Sequence, residues 1–231
     1  MNLGFITTFI SLMKKLLSYF VPQKGKVYKS KINGQLELNW HDGKLMLDSE
    51  NANYSYGALQ RALAEGLYHI GKKEVKAFQN ILVLGMGAGS VIETLRKDFK
   101  NEGKITAIEI DPVVVDIAKK YFKVEAFSNL QIVVKDAIDF VKENKSTYDF
   151  IIVDLFIDRE TPQKFSSPEF LEDLVKSVAK GGTILFNTVN VEDEFTERNE
   201  KMISLFEKTC SVEILKEIEG GNDLLLVKRR V

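Results

Sequence analysis

Residues 80–90 read NILVLGMGAGS, and this stretch decides the fold. Ile81 to Leu84 are four apolar residues in a row, the composition of a strand buried on both faces. Gly85, Gly87 and Gly89 follow at every second position, and Val91 to Phe99 then takes up helical spacing. A strand that turns so abruptly into a helix needs positions without a β-carbon, where φ is positive or a ligand approaches the backbone. The helix that follows offers unpaired N–H groups toward the same spot. Taken alone, the glycines are also what a tight strand-to-helix connection would use.

The text on either side repeats the same alternation. Ile105–Ile110, Ile132–Val134, Phe150–Val153 and Thr183–Phe186 read as strands. Pro112–Phe122, Ala137–Asn144, Pro168–Val178 and about 192–208 read as helices. Pro112 suits a first helical position, and Ser166 or Ser167 is available as a cap. Val212–Ile218 and Leu224–Val227, joined through Gly220 to Asp223, read as a closing hairpin. Repeated β-α units of this length predict an α/β protein with a doubly wound, mostly parallel, Rossmann-like sheet.

Upstream the pattern differs. Leu36, Leu38 and Trp40 alternate with Glu37 and Asn39, Asp42-Gly43 is a hairpin turn signal, and Lys44–Leu47 returns as a strand. A helix from Ala58 to Ile70 leads into the main sheet. Residues 3–20 place Phe5, Ile6, Phe9, Met13, Leu16, Leu17 and Phe20 on one helical face. Lys14 and Lys15 interrupt that apolar run and leave it too short to cross a bilayer. Such a helix packs on the body, on a partner subunit, or in a membrane interface. The division expected is a helix-and-hairpin element over residues 1–53 and a main domain over 54–231.

Carboxylates end the strands that follow the glycine turn. Glu109 closes the second, Asp136 stands just before Ala137 after the third, and Asp154 closes the fourth. Ligands of open α/β sheets bind at the carboxyl ends of strands, and an acid ending the second strand accepts ribose hydroxyls. Each acid by itself also reads as a helix cap. No Gly-Lys-Ser/Thr follows the glycines, so the turn is not a P-loop. A nicotinamide site prefers G-x-G-x-x-G; the G-x-G-x-G spacing here, with acids on the third and fourth strands, fits an S-adenosylmethionine site better.

Composition sets outer bounds. The 231 residues suffice for one full domain, and 45% hydrophobic with 28% charged residues is ordinary for a soluble globular chain. Lys plus Arg total 32 against 33 acids, a net charge of −1, which argues against a nucleic-acid binder that works by charge. Cys210 has no second cysteine to pair with, and two histidines with one cysteine do not make a zinc site. With no export signal and a lone thiol, the expected compartment is the cytoplasm.

Several stretches together resemble class I S-adenosylmethionine-dependent transferases, specifically the spermidine-synthase-like branch. They are ILVLGMGAGSVIETL, ITAIEIDPVVVDIAKKYF, VVKDAIDFV, YDFIIVD, FSSPEF, the KGG before the fifth strand, KLMLDS and NYSYGAL. The resemblance runs from about Gly34 to Asn187 and implies the seven-stranded methyltransferase sheet. It implies that Gly85, Gly87 and Gly89 line the methionine and ribose portions of the cofactor. Glu109 would hold the ribose hydroxyls, and Asp136 with Ala137 would meet the adenine. Asp154 would act as the base toward a small-molecule acceptor, with Tyr56 walling the substrate, Asp158 available to hold an amine and Asn187 facing the same pocket. The N-terminal helix and hairpin are natural dimerisation elements, and the resemblance points the same way.

The chain departs from that branch at three sets of residues, and its segment between the hairpin and Tyr56 is several residues shorter. Ala88 stands where spermidine synthases carry an Asp, Ala58 where they carry a Glu, and Asp154-Leu155-Phe156-Ile157-Asp158 replaces D-S-S/T-D-P. A buried ammonium needs an opposing charge or strong acceptors, so these changes weaken a polyamine site. The first reading is therefore methyl transfer from S-adenosylmethionine to an unidentified acceptor. The second is aminopropyl transfer from decarboxylated S-adenosylmethionine to putrescine. The third is a non-catalytic interaction protein on a nucleotide-binding fold.

Overall fold

The computed structural model describes residues 12–49, 53–55, 57–156, 162–189, 193–218 and 221–231. Among them the strands are β1 (Gln23–Ser30), β2 (Gly34–His41), β3 (Lys44–Ser49), β4 (Asn53–Ser55), β5 (Asn80–Leu84), β6 (Lys104–Glu109), β7 (Leu130–Val134), β8 (Tyr148–Val153), β9 (Val178–Val189), β10 (Cys210–Ile218) and β11 (Asn222–Arg229). Residues 12–17 are helical, and the α-helices that follow are α1 (Gly57–Ile70), α2 (Lys72–Ala77), α3 (Ser90–Lys97), α4 (Pro112–Ile117), α5 (Ala137–Glu143), α6 (Pro168–Ser177) and α7 (Asp193–Glu207). Four strands form a small antiparallel sheet in the order β1-β2-β3-β4. Seven form the main Rossmann-like sheet, in the order β10-β11-β9-β8-β5-β6-β7.

Strands β5 to β9 run parallel, while β11 lies antiparallel to both of its neighbours. Alternate residues face opposite layers, as a pleated strand requires. Ile81 and Val83 of β5 pack with Leu63, Leu67, Ile92 and Leu95 from α1 and α3. Leu82 and Leu84 pack on the other face with Val141, Leu174 and Phe206 from α5, α6 and α7. Both faces are covered, so β5 needs no polar alternation, which is why its sequence reads as an unbroken apolar run. The topological switch lies between β5 and β8, because the chain first adds β6 and β7 on one side and then β8 and β9 on the other.

The small sheet is larger than the two-stranded hairpin expected. Its outer strand, β1, carries the sequence QKGKVYKS, which is mostly exposed and lacks apolar alternation. It is an edge strand bearing lysines, a pattern that keeps edges from pairing further but hides them from a hydrophobic reading. Leu36, Leu38 and Leu47 of this sheet pack on Val114 and Ile117 of the main domain and on Ala88 of the glycine turn.

Two further boundaries differ. The expected helix over Pro112–Phe122 is α-helical only to Ile117 and continues in π geometry over Ala118–Phe122. The fifth parallel strand begins well before Thr183: Gly181, at φ 77°, lies inside β9, where the pairing with β8 shifts register. A glycine at positive φ in a strand marks a bulge, so Gly181-Gly182 bends β9 and does not precede it. Cys210 is buried. No helix of the described residues is long and apolar enough to cross a membrane.

Candidate functional site

The main sheet brings five chemistry-bearing positions side by side. Its register pairs Leu84 with both Ile108 and Val153, Glu109 with Val134, and Val153 with Phe186. The residues at or just beyond these carboxyl ends are Asn187 (β9), Asp154 (β8), Gly85 (β5), Glu109 (β6) and Asp136 (β7), in sheet order. Backbone hydrogen bonds continue the ladder into the loops. Gly85 and Met86 N–H donate to the Ile108 carbonyl at 3.0 and 2.9 Å, and Asp154 N–H donates to the Leu84 carbonyl at 2.9 Å.

All three glycines of the turn have positive φ, at 85°, 54° and 91° for Gly85, Gly87 and Gly89. Gly89 is the left-handed residue before α3. A β-carbon on Gly89 would lie 2.4 Å from Cγ1 of Val124. The turn is thus held down on one side by packing and on the other by a hydrogen bond. Gly87 N–H donates to Glu109 Oε2 at 2.9 Å.

Glu109 is buried, with 3% of its surface exposed. Its other oxygen, Oε1, accepts the N–H of Asp111 at 3.0 Å. Burial outweighs these two donors and pushes the Glu109 carboxyl up to about 7. Asp111 is the cap of α4: its Oδ1 accepts Val113 N–H at 2.9 Å. Its Oδ2 accepts the Ser30 hydroxyl and, at 2.7 Å, the Asn33 amide from the β1–β2 turn. No residue pattern signals this junction between the small sheet and the site, because Ser30 and Asn33 stand in an unpatterned, lysine-rich stretch. Ile110, between the two acids, is 39% exposed at the same edge.

Asp136 does cap its helix, with Ile138 N–H donating to Oδ1 at 2.8 Å. Its Oδ2 also meets Lys164 Nζ at 2.8 Å, a partner from the segment after β8 that nothing in the spacing announced. Ala137 is buried as the first residue of α5.

Asp154 sits at the switch point. Asn187 Nδ2 donates to its Oδ1 at 2.9 Å, so the structure brings together the fourth- and fifth-strand residues singled out by sequence. Burial pushes the Asp154 carboxyl up to about 7, against the lowering effect of the Asn187 bond. Asn187 has no exposed surface, and its Oδ1 has no hydrogen-bond partner among the described residues. Buried acceptors are normally satisfied, so this one marks a place for a donor. Tyr56 and Asp158 lie outside the described residues. His41 pairs with its neighbour Asp42 at the hairpin turn, and His69 on α1 meets Glu213 at 2.9 Å; neither joins the site.

A parallel sheet with a glycine turn and strand-end carboxylates at its switch point defines a Rossmann-like α/β fold. Residues 60–215 match the family model described as "Spermine/spermidine synthase domain", and the chain belongs to that family. A polyamine aminopropyltransferase of Vibrio vulnificus is 28% identical over 151 residues, covering 64% of this chain and 50% of the relative. An eEF1A lysine and N-terminal methyltransferase homolog of Drosophila melanogaster is 24% identical over 216 residues, covering 88% of this chain and 31% of the relative. The chain therefore spans half or less of the length of these two curated relatives. Among solved structures, a probable spermidine synthase from Corynebacterium glutamicum superposes with a TM-score of 0.67 at 20% identity, covering 88% of this chain and 80% of that one.

Proposed function

We propose that the chain is an S-adenosylmethionine-dependent transferase that moves a methyl group onto a small acceptor seated against Asp154. The observation that carries this reading is the Asp154–Asn187 pair, a half-buried acid beside a buried, unpartnered carbonyl oxygen. A ligand that brings an N–H or O–H group satisfies both at once. Gly85 and Gly89 are required by the packing of the turn against Asp154 and Val124, and the fit of the turn to an adenosyl ligand draws on the family match.

In this reading Gly85, Gly87 and Gly89 border the methionine and ribose portions, and Glu109 accepts the ribose hydroxyls. Asp136 and Ala137 border the adenine, with Ile110 as an apolar wall. Tyr56 and Asp158 belong to the acceptor side by family likeness. S-adenosylmethionine, when bound, supplies a methyl group already activated by its sulfonium. Asp154 then orients the acceptor and takes its proton. A carboxyl raised to about 7 is matched to that task near neutral pH.

Methyl transfer is preferred because the loop presents no acid to a polycation. Ala88, where spermidine synthases carry an Asp, is fully buried against Leu36, Leu38 and Leu47. The second reading, aminopropyl transfer from decarboxylated S-adenosylmethionine to putrescine, draws on the family match and the aminopropyltransferase relatives. Calorimetric titration with both cofactors separates the two. Preference for S-adenosylmethionine supports methyl transfer, whereas preference for the decarboxylated form with spermidine made from putrescine overturns it. Binding of neither favours the non-catalytic reading. The lone, buried Cys210 suits a reducing compartment, and we place the protein in the cytoplasm.

A further inference from the structure

The described N-terminal helix is mounted the wrong way round for a core helix. Residues 12–17 are helical, and the side that touches the protein is polar. Ser18, 2% exposed, accepts Gly43 N–H on its Oγ at 3.0 Å and Asp42 N–H on its carbonyl at 3.1 Å. Lys14 Nζ reaches the Lys24 carbonyl at 2.6 Å. These bonds tie the helix to the tip of the β2–β3 hairpin and to β1. The apolar arc points outward: Leu12 is 53% exposed, Leu16 53%, Leu17 49% and Phe20 87%. An amphipathic helix normally buries that stripe. In sequence the same period runs back through Phe9, Ile6 and Phe5.

Charge identifies what covers it. The first 36 residues hold Lys14, Lys15, Lys24, Lys26, Lys29 and Lys31 and no Asp or Glu, whereas the rest of the chain holds 26 basic residues against 33 acidic ones. Lys15, Lys24, Lys26, Lys29 and Lys31 are exposed. We infer that this face is a docking surface for an anionic lipid bilayer, with the helix lying in the plane of the interface. Its leucines and Phe20 enter the boundary between headgroups and acyl chains, and the lysines of the helix and β1 meet the lipid charge. A second copy of the chain is a poorer occupant, because a two-fold contact sets the same lysines against each other. A nucleic acid would use the lysines and leave the leucines in water.

Sedimentation of the full chain with phosphatidylcholine vesicles, with and without phosphatidylserine, tests the inference. The expected result is pelleting only with the serine lipid, weakened by added salt. Leu16→Glu should abolish pelleting, and Lys29→Glu should weaken it on the order of fivefold or more. Leu12→Glu serves as a second probe of the arc, and both leucine variants should keep the parent melting temperature, since their side chains are exposed. Four outcomes would overturn the inference. They are equal binding to both vesicles or to neither, binding unchanged in Leu16→Glu, a dimer that Leu16→Glu dissolves without vesicle binding, and RNA binding lost in Lys29→Glu but kept in Leu16→Glu.

Discussion

A β-carbon on Gly85 would lie 2.1 Å from the backbone oxygen of Asp154, and Gly85 already sits at φ 85°. Backbone cannot yield as a side chain can, so Gly85→Ala must either push β8 away or unwind the turn. We expect it to cost about 2–4 kcal/mol of stability and to abolish cofactor binding, readable by thermal melting and calorimetry. Asp154 itself is a separate matter, since Asp154→Asn keeps the shape and removes the base. Cofactor affinity should persist while turnover falls by about 10²–10⁴-fold. The parent activity should rise as pH climbs through about 7, where the Asp154 carboxyl ionises, and the Asn variant should lack that limb. A variant with full activity and an unchanged pH profile would remove Asp154 from the mechanism.

At the scale of elements, Asp111 is a joint. It caps α4 with one oxygen and grips the β1–β2 turn with the other. Asp111→Ala loses the cap and strands two donors, so we expect a loss of about 2–3 kcal/mol and a melting point lower by several degrees. Asn33→Ala, which removes one of those donors, should cost less. The strands that bear the site were readable because burial on both faces forces continuous apolar runs, as in Ile81–Leu84 and Ile151–Val153. Glycines and acids at their ends then stood out. What escaped reading follows other rules. β1 is held by backbone pairing at an edge and needs no apolar pattern, and Ser30, Asn33 and Lys164 act through contacts made by residues far away in sequence. The Asp154–Asn187 contact was legible only as two strand ends, because parallel pairing of β8 and β9 is what makes them neighbours.

For the whole molecule, the two raised carboxyls set a pH dependence of stability. Glu109 moves from 4.5 to about 7 and Asp154 from 3.8 to about 7 on folding. Between those limits the folded ligand-free protein keeps protons that the unfolded chain releases, so stability falls as pH rises from about 4 toward 7. The Glu109 share reaches on the order of 3 kcal/mol. Melting curves across this range should slope downward, and Glu109→Gln should make the slope shallower while leaving the Asp154 share; an equally steep slope in that variant would show that Glu109 stays ionised in the fold. The sheet order also sets a timetable. In the main sheet β10 has only β11 as a neighbour, and β11 is made after it. Until β11 is in place, β9 has an open edge and β10 has no neighbour to pair with. The sheet is complete only when a late strand slides between two that were made before it.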